Sequence, residues 1–173
     1  SYNLSENTLR KLDFGVTYYS KSNFRSVERY GNDFPFRIEL DSTVSQIVGV
    51  PVFIDKITDS TYTIHASAKS VSTYNFYINR VEDKLPNVEI SASRSSNKPF
   101  VYKNLSFKIK FNDGYFDYGD TEYYFVINNL KSLADSYQQK LEVKPISLES
   151  NLVEVNLRTG NSEKGVLFLN TLL

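Results

Sequence analysis

The chain has 173 residues, 40% of them hydrophobic and 23% charged, which suits one folded domain or a small domain carrying an insertion and excludes global disorder. Its 20 basic and 20 acidic residues cancel, so no basic excess exists to neutralise nucleic-acid phosphates or to hold an anionic membrane surface. Cysteine is absent, which excludes disulfides, thiolate catalysis and thiolate zinc sites, while 13 Tyr and 12 Phe without any Trp favour strands.

Leu4, Leu9 and Leu12 mark the tail of a helix that Gly15 stops. From Val16 the texture becomes that of strands. Residues 36–41 alternate apolar and charged, the period of a strand with one wet face. Residues 52–57 and 62–68 flank Thr58-Asp59-Ser60-Thr61 and read as a hairpin, with Tyr62, Ile64, Ala66 and Ala68 on one side. Residues 74–78 and 88–92 continue the pattern. Residues 105–111 set Leu105, Phe107, Ile109 and Phe111 against Ser106, Lys108 and Lys110, before a turn at Asn112-Asp113-Gly114. Residues 122–127 form one more aromatic strand, and strands at this spacing imply a sandwich or barrel.

The period then changes. Asn129 can cap a helix whose stripe is Leu130, Leu133, Ala134, Tyr137 and Leu141, and Lys144-Pro145 ends any continuation. Val153, Val155 and Leu157 alternate as a strand, and a last helix begins near Glu163. The fold class expected is α+β. A β-sandwich or jelly-roll-like insertion over 16–125 interrupts a small α/β base formed by residues 1–15 and 126–173. No run of about 18 apolar residues, the length of a membrane span, occurs. The apolar residues 166–173 read as a helix that continues, so the chain is expected to be a fragment whose anchors lie outside it.

Candidate chemistry is sparse. His65 is the sole histidine, so a Ser/His/Asp triad would need it, yet it falls on the strand face opposite Tyr62 and Ile64 and reads as solvent-facing. Asp113, Asp117, Asp120 and Glu122 make an oxygen-rich loop, but their spacing is not that of an EF-hand, and an acidic turn accounts for them. No phosphate-binding or dinucleotide glycine loop occurs. No fold fixes two acids at a glycosidase separation. Catalytic, cofactor and metal residues are therefore all assigned as none. The clusters Tyr18-Tyr19, Tyr74-Phe76-Tyr77, Tyr115-Phe116-Tyr118 and Tyr123-Tyr124-Phe125 suit a β core, and those that strand geometry turns outward can contact sugars.

Three segments carry a family resemblance. The first is Gly15-Val16-Thr17-Tyr18-Tyr19-Ser20-Lys21-Ser22-Asn23-Phe24-Arg25-Ser26-Val27-Glu28-Arg29-Tyr30 with Pro35-Phe36-Arg37-Ile38; the second is 128–141 with 143–146. The third is Asn151-Leu152-Val153-Glu154-Val155-Asn156-Leu157 with 160–173, including Phe168-Leu169-Asn170. Together they resemble the periplasmic region of Wzz-type chain-length determinants, the polysaccharide co-polymerases, in the variant fused to a cytoplasmic tyrosine autokinase. The resemblance implies an inner-membrane parent with two transmembrane helices bracketing a periplasmic α+β base, into which longer members insert a β-rich stretch. It implies a non-catalytic segment that assembles with copies of itself, works with a polysaccharide polymerase or export machinery, and influences the chain length and export of exopolysaccharide or capsule. Kinase chemistry and its phosphorylated tail would lie elsewhere. Leu167, Leu169, Leu172 and Leu173 are candidates for helix packing, and core burial within one subunit accounts for them equally well. The rival expectation is a carbohydrate-binding β module of a secreted or surface protein.

Overall fold

The computed structural model describes residues 2–112, 114–116, 119–147 and 152–173. In chain order the elements are α1 (Tyr2–Lys11), β1 (Val16–Ser22), β2 (Arg25–Arg29), β3 (Phe36–Leu40), β4 (Gln46–Val48), β5 (Pro51–Thr58), β6 (Thr61–Asn75) and β7 (Arg80–Ser95). There follow β8 (Phe100–Tyr102), β9 (Leu105–Phe111), β10 (Glu122–Ile127), α2 (Leu130–Lys140), β11 (Leu141–Pro145), β12 (Val153–Leu157) and α3 (Ser162–Leu172). The chain is α+β, with a β-rich sandwich-like domain and helices at both ends. It divides into a unit of Ser1–Phe14 with Leu130–Leu173 and a unit of Gly15–Asn129.

In the β-rich unit a curled sheet runs β2-β1-β10-β5-β6-β4, with β7 paired to β6, and a smaller sheet runs β3-β9-β8. All their pairings are antiparallel. Most of the strands form where aromatic and β-branched residues recur every second position, so that one apolar face turns to the other sheet; β2 and the first half of β7 are exposed instead. Tyr18, Phe125, Val52 and Ile64 from the larger sheet meet Phe36, Ile38, Phe107 and Ile109 from the smaller in one buried cluster. Rings set the depth of that core: Phe107 stands edge-on to Phe125 at 5.3 Å, and Tyr62 edge-on to Phe111 at 5.9 Å.

Polar links also tie the sheets. The Ile38 amide donates to the Tyr18 hydroxyl at 3.0 Å. Gln46 is fully buried on β4, and its Nε2 donates to the carbonyls of Asp41 at 2.7 Å and Ser106 at 2.9 Å, while its Oε1 accepts from the Ser106 amide at 2.9 Å. This places Ser106 in the interior, not on the wet face that alternation gives it. The β-rich unit begins and ends at one place: Val16 is the register partner of Ile127, and the Asn128 amide donates to the Gly15 carbonyl at 2.8 Å. The boundary expected at 125/126 therefore lies at 129/130, because 126 and 127 complete β10.

The second unit is helical, with one hairpin. Leu9, Phe14, Leu130, Ala134, Tyr137 and Phe168 are buried, and Tyr137 lies 4.5 Å from Phe168 and 6.2 Å from Phe14. Lys164 is buried too, its ammonium 4.8 Å from the Phe14 ring centre, which provides a cation–π contact for the charge. Asn161 caps α3 by accepting from the Lys164 amide at 3.0 Å. Among the expected packing residues, Leu167, Leu169 and Leu172 are half-buried and Leu173 is exposed, while Phe168 is the residue sealed in the core. Leu141, expected on the α2 stripe, instead opens β11, which pairs antiparallel with β12. The expected strand over 74–78 ends at Asn75 and gives way to a turn.

Candidate functional site

The aromatic clusters separate by strand alternation. Tyr18, Tyr123 and Phe125 point into the core, and Tyr19 and Tyr124 point out. Tyr74 is buried and its hydroxyl donates to Asn79, Phe76 packs edge-on to it at 5.1 Å, and Tyr77 is exposed in the following turn. Phe116 packs on Phe36, Phe111 and Tyr123, while Tyr115 is exposed. Tyr118, Asp113 and Asp117 lie outside the described residues.

The register then assembles what the sequence holds apart. Tyr19 on β1 is opposite Tyr124 on β10, Tyr124 is opposite Phe53 on β5, and Phe53 is opposite His65 on β6. Ring centres are 4.9, 4.9 and 4.7 Å apart in that order. These separations equal the spacing of neighbouring strands, about 4.8 Å, so the four rings stand side by side as an upright row on the outer sheet face. Tyr19 and Tyr124 are near-parallel at 11°, and Phe53 and His65 at 3°. Inner ring faces are consequently taken by neighbouring rings. Tyr124 is buried, Tyr19 and Phe53 are half-buried and His65 is exposed, so solvent meets mainly ring edges and the imidazole end of the row.

Charges flank the row. Lys21 pairs with Glu122 at 2.6 Å and lies 5.7 Å from the Phe53 ring centre. Burial, followed by the nearby Glu28 carboxylate and Tyr124, pushes the Tyr19 hydroxyl up to about 12. That phenol stays protonated at neutral pH and works as a hydrogen-bonding tip, not as a base. The surface is chemically suited to the C–H edges and hydroxyls of a polyol, and it needs no metal for that.

Asp55, His65 and Ser91 sit on adjacent strands of this face, which are the residue types of a nucleophilic triad. The geometry does not assemble one. Asp55 Oδ2 is 3.9 Å from His65 Nδ1, beyond hydrogen-bonding reach, and the imidazole is laid flat on Phe53 at an exposed site. His65 closes one end of the aromatic row. In the expected acidic loop, Glu122 is engaged with Lys21 and Asp120 is exposed. Among the described residues no group of three or more His, Cys, Asp or Glu could hold a metal ion.

His65 is exposed, on the face that alternation gives it, whereas Phe53 went unnoticed in the sequence because it lies in no aromatic cluster. The signal that could have found it is outward phase: it alternates against the buried Val52 and Ile54 on its own strand. No protein-family model matches the chain, and no curated protein matches it.

Proposed function

We propose that the chain is the non-catalytic periplasmic domain of a Wzz-type polysaccharide co-polymerase, which influences the length and export of exopolysaccharide or capsule through self-assembly. The reading starts from the resemblance carried by residues 15–30, 128–141 and 151–173. The observation that carries it is the way both chain ends contribute to one helical unit, from which a complete β-rich unit departs between Phe14 and Leu130. A base built from both flanks of an insertion is what that family resemblance implies. In the parent protein, flanking segments would supply the inner-membrane anchors, and any tyrosine autokinase activity would belong to a cytoplasmic domain. The partners proposed are other copies of the chain and the polymerase or export machinery.

Within this reading the aromatic row is the surface offered to the growing polysaccharide. The same row supports the second reading, a carbohydrate-binding β module of a secreted or surface protein, in which the sugar contact is the whole function.

One experiment separates them. Surface polysaccharide from cells whose parent protein lacks residues 15–129 is resolved by gel, with membrane level checked by immunoblot, beside cells carrying Tyr19→Ser with Tyr124→Ser. A changed length distribution in both strains supports the co-polymerase reading and the row together. A change in the deletion strain alone leaves co-polymerase function and removes the row from it. An unchanged distribution in both, with sugar affinity retained by the isolated chain, favours the binding-module reading.

A further inference from the structure

Strand β7 is 16 residues long and pairs along one side with β6. Among the described residues no strand pairs with its other side. Such an edge exposes a line of main-chain donors and acceptors, and proteins guard it with charges and proline. The guards here are unevenly placed. Arg80, Glu82, Asp83, Lys84 and Pro86 crowd the first half, and Pro86 has no N–H to offer a new strand. Residues 87–93, Asn-Val-Glu-Ile-Ser-Ala-Ser, contain a single charge, Glu89, and it lies on the outer face because Val88 and Ile90 face inward.

A cleft lies beside the point where the guards stop, its β7 wall running from Leu85 and Pro86 to Ile90. This cleft of ≈ 240 Å³ opens between β7 and the β8–β9 turn; Val88, Ile90, Leu105 and Ile47 make its apolar lining, and Tyr102 and Lys103 its polar rim. Tyr102 bridges the gap weakly, its hydroxyl 3.5 Å from the Glu89 carbonyl. Lys103 is held at the turn with φ 45°, its ammonium 5.5 Å from the Tyr102 ring centre.

We infer that residues 87–93 of β7 are a strand-addition site for an extended segment of a partner protein. The segment carries a branched aliphatic side chain that enters the cleft and an acidic side chain beside it that meets Lys103. Two independent features point to an extended peptide. Only an extended backbone supplies alternating donors and acceptors to a bare strand edge, and only every second side chain of such a segment turns toward a cleft beside it. A ligand without a peptide backbone would leave the edge to water. The inference does not depend on the polysaccharide reading, because it uses a different face of the β-rich unit.

The test uses the ¹⁵N-labelled 173-residue chain and a capped heptapeptide of threonines with a central isoleucine and a neighbouring aspartate. A second peptide of the same sequence is N-methylated at alternate residues, and a third carries lysine in place of aspartate. Amide shifts confined to residues 87–93 and 102–105 are expected. N-methylation should weaken binding by roughly tenfold or more, since each lost hydrogen bond that leaves a partner unmet carries a penalty of that order. Lys103→Glu, an exposed turn change, should reverse the preference between the aspartate and lysine peptides. Absence of binding across the panel, equal binding of the N-methylated peptide, or shifts mapping elsewhere would overturn the inference. Concentration-dependent pairing of the chain with itself through residues 87–93 would also overturn it, by assigning the edge to a second copy.

Discussion

Gln46 and Ser106 exchange two hydrogen bonds across the sandwich, side-chain amide to main chain, at 2.9 Å each. The pair imitates one step of a β ladder between sheets that are otherwise joined mainly by apolar contact. Its third bond, Gln46 Nε2 to the Asp41 carbonyl, leaves the buried side chain fully satisfied.

Gln46→Leu conserves volume and removes all three bonds. The Ser106 amide then stays buried without a partner, while its carbonyl keeps the Asp41 amide at 3.0 Å, so unfolding free energy should fall by about 2 kcal/mol. Urea titration followed by far-UV circular dichroism reads the change. A loss below about 1 kcal/mol would mean that water enters and replaces the amide.

Gly165 lies inside α3, where Ala has the better intrinsic propensity by about 1 kcal/mol. A Cβ there would come within 2.6 Å of Thr159 Cγ2. Gly165→Ala is therefore expected to destabilise by about 1–2 kcal/mol despite the propensity gain. Thr159→Ser removes that methyl and keeps the hydroxyl that donates to the Asn161 carbonyl at 3.1 Å. In the double variant the alanine should become neutral or favourable. Thermal melts of the four-member cycle check this, and additive effects would refute the proposed clash.

The β1–β2 hairpin turns on Asn23 and Phe24, with φ of 48° and 65°. Asn tolerates this region; Phe does not, and its side chain is 100% exposed, so it gains no burial in return. Phe24→Gly should raise stability by about 1 kcal/mol through relief of backbone strain. If the variant is more stable yet shifts the surface polysaccharide distribution, the ring is kept for contact and not for folding.

Acidification should lower stability modestly through exposed carboxylates that accept bonds. Hydrogen bonds from Thr43, side chain then main chain, hold Asp41 below the usual carboxylate range. The Ser45 hydroxyl does the same for Glu82, Lys110 for Glu39 and Lys144 for Glu142. A carboxylate depressed in the folded state contributes stability that is full above its ordinary value and is lost as pH falls through the folded value. The urea midpoint should thus be flat near neutrality and fall on acidification through the carboxylate range. Asp41→Asn should flatten that fall, and an unchanged slope would remove Asp41 from the account.

The sheets were legible where one face of a strand is wet. Residues 107–111 and 61–68 alternate because the core takes every second side chain. β11 was hidden because Leu141 continues the spacing of the α2 stripe, and because five residues of mixed polarity resemble a loop. The first hairpin was hidden because its turn contains no glycine. Ser106 looked solvent-facing because its buried partner, Gln46, lies 60 residues away. The aromatic row was illegible for the same reason: Tyr19, Phe53, His65 and Tyr124 become neighbours only through strand order. Adjacent tyrosines drew attention in the sequence, yet adjacency along a strand sends them to opposite faces.

The antiparallel closure of β1 with β10 gives the β-rich unit a single doorway. Its incoming and outgoing strands run side by side from Val16 and Ile127, so whatever lies beyond can grow, shrink or be exchanged without changing the gap its host must span. A short loop in place of residues 15–129 would meet the same geometric demand. Such an arrangement lets the helical unit and the β-rich unit diverge under separate selection, the first keeping its packing while the second tracks a changing partner.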